Sequence, residues 1–245
     1  MAQNCGSTVS NGITFGTSLS IAGDVMTAVI TIRTTSTLSG AGVFGQWGKG
    51  SDQSYLLQHL GSGALGFVVE GGGSAKFGRQ TSAGAISTNS THRIVCEYDR
   101  NGGTPFINIY VDNSAQSVTP WLASNNIVIA NSTSKIFIGA SSDWAATPLN
   151  VDSAEHAVYN SLVSSKFIEA YSNGASPSFY PHGRQLYFPA WTTNDNVERQ
   201  AGRTVSRTGV SDALHPQVFY HYPAQYSPGI TAVAGSPWYY YAQHH

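Results

Sequence analysis

Carboxylate side chains are the first candidates for chemistry, because two of them can together hydrolyse a glycosidic bond. When one acts as a nucleophile, the two carboxyl groups lie roughly 5 Å apart, and alternate residues of a strand share a face. No glutamate begins an E-x-D-x-E or E-x-D-x-x-E run. Asp152 and Glu155 are three residues apart, so we expect them on opposite faces of a strand. Since no Gly-x-Ser-x-Gly run suggests an acyl-enzyme, the sequence predicts that the protein is not an enzyme.

Histidines and glycines predict neither a zinc site nor a phosphate site. The eight histidines show no His-x-x-x-His or Cys/His spacing of the kind found in zinc sites. Gly71–Ser74 is glycine-rich, but no Lys-Ser or Lys-Thr pair follows it, as a phosphate-binding loop needs. We therefore predict a hairpin turn at this point, and no cofactor.

Tryptophans are candidates for stacking on sugar rings. Trp47 ends an apolar segment, which favours packing in the core, whereas Trp121 and Trp144 lie among polar residues. Aromatic side chains on loops of a rigid scaffold are well placed for binding. We therefore identify Trp121 and Trp144 as candidate glycan contacts.

The last part of the chain differs in composition from the rest. Seven of the 10 prolines follow Ser176, and this region contains no Lys and one Glu. Protein interfaces are enriched in Tyr and Trp and depleted in Lys and Glu. We predict that residues 177–245 form an extended arm, packed either on its own domain or on a neighbouring subunit. The candidate assembly contacts are Tyr220, Tyr222, Tyr226, Trp238, Tyr239, Tyr240 and Tyr241.

The low charge content excludes several classes of protein. Only 10% of the residues are charged, with 12 Lys and Arg against 13 Asp and Glu, whereas a soluble domain has about 25%. Nucleic-acid binding by phosphate neutralisation needs clustered basic residues, and disorder accompanies high net charge with few aromatics. No apolar run approaches the roughly 18 residues of a membrane span. We expect a folded protein that binds neither nucleic acid nor membranes.

Short β-branched segments separated by Gly, Ser and Asn predict an all-β protein, an antiparallel sandwich over residues 1–176. In Phe106–Asp112 the alternation places residues 107, 109 and 111 on one apolar face. One short helix is also predicted, since Ser164 or Ser165 can cap it and Asn173-Gly174 can end it.

The cysteines and the N-terminus bear on the cellular compartment. Cys96 lies in an apolar strand, which favours a buried free thiol, and a Cys5–Cys96 disulfide is the alternative. Met1–Ser7 has neither a basic n-region nor an apolar h-region, so we predict no signal peptide and synthesis in the cytoplasm.

The order of the segments resembles laminin-G-like, concanavalin A-like jelly rolls across residues 13–174. The resemblance is carried by Val29–Arg33, Val43–Gly50, Thr91–Asp99, Asn108–Asp112, Ile136–Gly139, Glu155–Tyr159 and Ser164–Tyr171. It implies a jelly-roll fold. It also implies that calcium can bind at the sandwich rim, for which the candidates are Asp99, Asp112, Asp143 and Asp152. The alternative is that these aspartates form turns and caps.

A second resemblance concerns the region after the sandwich. Gln185–Ala190, followed by Thr204–Gly209 and His215-Pro216, is similar to segments in laminin-G-like proteins of bacteriophages. It implies a virion structural protein, most simply a capsid decoration (cement) protein made in the host cytoplasm. The expected partners are other copies of the chain, in a trimer, and a major capsid or tail protein. The alternative is a glycan- or receptor-binding module of a phage tail or fibre.

Overall fold

The computed structural model describes residues 2–5, 12–16, 19, 21–34, 39–48, 52–139, 147–148, 151–189, 200, 204–208 and 210–213. These residues form seventeen β-strands and one α-helix. The strands are β1 (Ala2–Cys5), β2 (Gly12–Phe15), β3 (Val25–Thr34), β4 (Ser39–Trp47), β5 (Gln53–Leu60), β6 (Leu65–Glu70), β7 (Lys76–Thr81), β8 (Thr91–Asp99), β9 (Phe106–Val111), β10 (Ser114–Ala115), β11 (Val118–Ser124), β12 (Ile136–Gly139), β13 (Thr147–Pro148), β14 (Val151–Tyr159), β15 (Arg184–Phe188), β16 (Val205–Thr208) and β17 (Val210–Ala213). The helix is α1 (Ser165–Ser172).

The strands form two sheets that pack face to face. Sheet A has eight strands in the order β10-β9-β8-β3-β14-β1-β17, and β15 also pairs with β14. Sheet B has nine strands in the order β11-β7-β6-β5-β4-β12-β2-β16, and β13 also pairs with β4. Apart from the parallel pair β13–β4, the described pairings are antiparallel. The predicted antiparallel β-sandwich is confirmed.

The main core lies between the two sheets. Ile107, Ile109 and Val111 of β9 are buried there, as their alternation predicts. From sheet B, Phe67 and Val69 of β6 enter the same cluster. Burial of apolar surface contributes about 25 cal/mol per Å², so this interior is the main source of stability. It also fixes the intervening residues of each strand on an outer face.

Helix α1 covers part of the outer face of sheet A. Ser164 accepts a hydrogen bond from the backbone N–H of Phe167, at 3.1 Å, which caps the helix as one of the two predicted serines. Phe167 and Tyr171 lie parallel, with ring centroids 5.9 Å apart. They belong to a second buried cluster with Val29 and Val95 of the sheet. A helix of two turns is marginal by itself, so this contact stabilises it.

A β-bulge in β14 changes the faces that its acidic residues reach. The register against β3 shifts at Glu155, which has a φ of 52°. Asp152 lies 3.2 Å from Arg33 on the outer face of sheet A, and Glu155 reaches Tyr187 on the same face. The prediction that Asp152 and Glu155 point to opposite faces is therefore wrong, because a bulge adds one residue and interrupts the alternation.

The described part of the predicted arm completes the sandwich of its own chain. β15 pairs with β14, β16 pairs with β2, and β17 pairs with β1. Leu186 and Phe188 of β15 lie in the main core, and the ring of Phe188 meets that of Phe15 edge to face, 5.0 Å away. These strands are therefore integral to both sheets.

Cys96 is a free and fully buried thiol. Burial raises the pKa of this thiol well above its usual value, and the Glu97 carboxylate raises it further. The predicted buried thiol is confirmed, and the Cys5–Cys96 disulfide is not formed. No helix in the described ranges is long and apolar enough to cross a membrane.

Glu155 is a buried carboxylate at the strained bulge, with an exposed fraction of 1%. Its Oε2 accepts hydrogen bonds from the hydroxyls of Ser176 and Tyr187, at 2.9 and 3.0 Å. The two hydroxyls are also 3.0 Å from each other. Burying a carboxylate without hydrogen-bond partners costs free energy, and the two hydroxyls supply those partners. They also connect the segment after α1 to the bulge of β14.

His156 lies inside the main core between two aromatic rings. Its ring centroid is 5.6 Å from that of Phe44 and 6.5 Å from that of Phe188. Neither ring nitrogen has a hydrogen-bond partner within the described ranges. Complete burial lowers the pKa of His156 to about 3, so the side chain is neutral in the folded protein.

We expect Ser176→Ala to lower the free energy of unfolding by about 1–2 kcal/mol, since Glu155 loses one donor and the backbone N–H of Ser178 loses its acceptor. Urea denaturation of the full chain measures this change. Ser114→Ala, at an exposed position of β10, is the control and should leave the midpoint unchanged. Equal stabilities of the Ser176 and Ser114 variants would show that the hydroxyl does not stabilise the bulge.

We expect His156→Leu to reduce the acid sensitivity of the fold. The folded-state pKa of about 3 lies below the ordinary histidine value of 6.5, so between these pH values only the unfolded chain takes up the proton. The wild type should therefore lose up to about 1.4 kcal/mol of stability per pH unit relative to the variant as pH falls. Denaturant titrations at pH 7 and pH 4 compare the two, and parallel pH profiles would contradict a neutral buried histidine.

Candidate functional site

One row on the outer face of sheet B leaves room for an aromatic ring. Gly66 of β6 pairs with Gln58 of β5 on one side and with Gln80 of β7 on the other. Directly paired residues share a face, and the residues flanking Gly66 lie in the main core. Gly66 and the two half-buried glutamines therefore face outward.

Trp121 lies over Gly66. The register of β11 against β7 is interrupted between Pro120 and Ser124, and Trp121 falls within this interruption. A Cβ atom at Gly66 would lie 2.7 Å from Cε3 and Cζ3 of Trp121, so the indole can approach the sheet only because position 66 has no side chain. We call Trp121, Gly66, Gln58 and Gln80 the Trp121 platform.

An apolar cluster anchors the platform to sheet B. Trp121 packs against a buried cluster that includes Trp47 and Phe137. The predicted packing of Trp47 in a core is confirmed, since its exposed fraction is 5%. Trp121 itself is only half-buried. Its indole is therefore held in place while part of it stays accessible.

An ion pair lies farther along the same face. Nζ of Lys76 is 5.0 Å from the ring centroid of Trp47 and 3.5 Å from Oε2 of Glu70. Burial raises the pKa of Glu70, and the Lys76 ammonium partly opposes that rise. The pair holds the Lys76 ammonium beside the ring of Trp47.

The Trp121 platform has the groups that bind a sugar ring. An indole can lie against the apolar C–H face of a sugar, and side-chain amides both donate to and accept from hydroxyls. The Nε2 of Gln58 donates to the carbonyl of Gly40 at 2.7 Å, which fixes the amide and leaves its oxygen as an acceptor. Ring and amides stand on strands of one sheet, so their spacing is set before a ligand arrives.

Sequence reasoning identified Trp121 but expected it on a loop, whereas it lies within β11. It also missed the two glutamines. Gln58 follows the buried Leu57, and Gln80 follows Arg79 at the end of β7. The signal was the alternation of β5 and β7, which places both glutamines on outward positions. Gln58 and Gln80 each pair with Gly66, so the arrangement involves three strands. It could not be predicted from any local sequence pattern.

Several predicted contacts lie outside the described residues. These are Trp144, Tyr220, Tyr222, Tyr226, Trp238, Tyr239, Tyr240 and Tyr241. Their roles in glycan binding or assembly stay predictions.

The described aspartates that were calcium candidates hold turns and an ion pair. Asp99 accepts from the backbone N–H two residues later, at 2.7 Å, and Asp112 accepts from the N–H of Arg93, at 2.8 Å. Asp152 pairs with an arginine of β3, and Asp143 lies outside the described residues. Within the described ranges, no group of three or more His, Cys, Asp or Glu residues could hold a metal ion. These contacts fit the alternative of turns and caps.

A serine, a histidine and an aspartate meet at one rim. His92 Nδ1 lies 2.7 Å from Asp112 Oδ2, while Nε2 lies 3.0 Å from the backbone N of Ser87 and 3.2 Å from its Oγ. The backbone N–H of Ser87 donates to Nε2, so Nδ1 is the nitrogen that donates to Asp112. Because the backbone amide already donates to the Nε2 lone pair, Nε2 is not free to accept the proton of the Ser87 hydroxyl. The contacts of His92 instead connect the loop at Ser87 to the hairpin at Asp112.

A family model described as the concanavalin A-like lectin/glucanases superfamily matches residues 7–169. The match spans β2 to β14, the first part of α1 and all residues of the Trp121 platform. No curated protein matches the chain in sequence.

Two solved structures are similar in fold. A putative carbohydrate binding protein from Bacteroides ovatus shares 15% identity, with a TM-score of 0.60, over 90% of this chain and 62% of its own. The chain thus spans about three fifths of that protein. A heptameric SAP-like pentraxin from Limulus polyphemus shares 12% identity, with a TM-score of 0.53, over 85% of this chain and 95% of its own. At such identities the likeness shows the fold.

Neither the family match nor these structures indicate a bacteriophage virion protein. The predicted virion location, trimer and capsid or tail partner therefore stay predictions.

We expect Gly66→Ala to displace the Trp121 indole from sheet B, because the new methyl would lie 2.7 Å from the ring. Acrylamide quenching and a red shift of tryptophan fluorescence measure the change, and both should increase. Gly72→Ala is the matched control, since its Cβ would meet nothing within 4 Å. The packing of Trp121 on Gly66 would be refuted if the two variants had the same spectrum.

Proposed function

We propose a glycan-binding function for this chain, which belongs to the concanavalin A-like lectin/glucanases superfamily. The proposal is that the sandwich presents the Trp121 platform to a carbohydrate and binds it without chemical change. The Bacteroides ovatus protein that is similar in fold is described as a putative carbohydrate binding protein, and the proposal extends that description to this chain.

The position of Trp121 over Gly66 is the observation that carries the proposal. An indole that served only the core would be fully buried, as Trp47 nearly is. Trp121 instead stays half-buried beside two outward glutamines. An aromatic platform flanked by amides is suited to a hydroxyl-rich ligand with one apolar face.

Binding without hydrolysis is part of the same proposal. The superfamily description includes glucanases as well as lectins, so the catalytic carboxylates decide between the two. Asp152 and Glu155 share a face, but each already has partners. Asp152 pairs with Arg33, and Glu155 accepts hydrogen bonds from the hydroxyls of Ser176 and Tyr187. Both carboxylates therefore have partners that stabilise the fold, which supports binding without hydrolysis.

A role at the surface of a virion is a second proposal, and it is compatible with the first. It rests on the resemblance of the region after the sandwich and on the tyrosine-rich composition of residues 214–245. Glycan recognition at a tail or fibre would join the two proposals. Co-purification with assembled particles, and the copy number found there, tests the virion role separately.

We expect Trp121→Ala to weaken glycan binding at least roughly tenfold, since the stacking ring is lost. Affinity gel electrophoresis of the full chain in neutral and anionic polysaccharides, followed by a glycan array, measures the change. Val128→Ala removes an exposed side chain elsewhere and should bind like the wild type. Unchanged affinity of the Trp121 variant would rule out the platform, and release of reducing sugars by the wild type would rule out binding without hydrolysis.

A further inference from the structure

A second surface on the opposite side of the sandwich combines aromatic and polar residues. In the pairing of β8 with β9, Glu97 lies opposite Asn108 and Asp99 lies opposite Phe106. The isoleucines between these positions of β9 are in the main core. Phe106, Asn108 and Tyr110 therefore share the outer face of sheet A with the two carboxylates.

The polar side chains of this surface form long hydrogen bonds with one another. The Nδ2 of Asn108 is 3.4 Å from Oε2 of Glu97 and 3.5 Å from the hydroxyl of Tyr110. Both distances are at the long end of hydrogen bonding, so a ligand hydroxyl could replace them with shorter bonds. Burial raises the pKa of Glu97, while hydrogen bonds from Asn108 and Tyr110 lower it.

The same surface offers an apolar ring and a firm support. Phe106 is 39% exposed, although large apolar side chains in the described ranges are mostly buried. Tyr110 packs against the buried cluster beneath α1. Since these side chains stand on the paired strands β8 and β9, their spacing is held by the sheet.

The charges on this surface select the class of ligand. Asp99 lies two residues from Glu97 on the same face and raises its pKa, beyond the rise caused by burial. The nearby Arg100 is paired with Asp24 at 3.1 Å. Two carboxylates would repel an anionic sugar, whereas the hydroxyls of an uncharged sugar can donate to them.

We propose that Glu97, Phe106, Asn108 and Tyr110 form a second glycan-binding site, specific for uncharged sugars. We call it the Phe106 surface. The inference rests on the proposed glycan-binding function and adds a site on the other face of the sandwich. One chain would then bind two glycan segments at once, which raises avidity for a polysaccharide without any new contact at either site.

The test compares Phe106→Ala, Trp121→Ala and the double variant, all in the full chain. The probes are galactomannan, xyloglucan and mixed-linkage β-glucan as neutral polysaccharides, with polygalacturonate as the anionic one. Affinity gel electrophoresis gives the dissociation constants. Thr104→Ala, in the exposed turn before β9, is the matched control, and thermal unfolding shows that each variant is folded.

Two sites predict that each single variant loses roughly tenfold in affinity for a neutral polysaccharide and that the double variant loses binding. Phe106→Ala should not change binding to polygalacturonate. The Phe106 surface would be overturned, and the proposed function kept, if Trp121→Ala removed all binding and Phe106→Ala removed none. The reverse result would keep the Phe106 surface and overturn the Trp121 platform. A wild type that binds none of the four probes would overturn both.

Discussion

Burial of alternate side chains between sheets A and B is the constraint on which the other features depend. Once Phe67 and Val69 point into the interior, Gly66 must face outward. The same relation turns Asn108 outward between two buried isoleucines. Core packing therefore determines which side chains form the two outer surfaces, and these side chains stand on rigid strands. A loop would hold the same groups less firmly.

Two interruptions of regular strand pairing set the direction of side chains that simple alternation would place on the wrong face. The interrupted register of β11 brings Trp121 over the sheet, and the missing side chain of Gly66 gives it space. In β14 the bulge turns Glu155 toward Ser176 and Tyr187 instead of into the core. Bulges are frequent next to functional sites because they re-aim side chains. Here one bulge serves the fold, and the β11 irregularity serves the proposed site.

The low charge content has a structural meaning. The described carboxylates mostly hold turns, bulges or strand pairs, as Asp99, Asp112 and Glu155 do. The Trp121 platform carries amides and an aromatic ring, and the Phe106 surface combines aromatic rings with an amide, a hydroxyl and a carboxylate. Such surfaces suit a hydroxyl-rich ligand, which offers many weak donors and acceptors and little charge. A protein of this composition would be a poor ligand for a phosphate backbone.

The sequence by itself determined what depends on neighbouring residues. Alternation predicted the buried face of β9, and Ser164 was one of two predicted caps. Only the tertiary structure decided what depends on pairing between distant strands. It brought Gln58 and Gln80 to either side of Gly66, and it added β15 to β14 within the same chain. The physical reason is that side-chain direction within a strand is a local property. Register, bulges and the choice of partner strand are set by the packing of the whole sandwich.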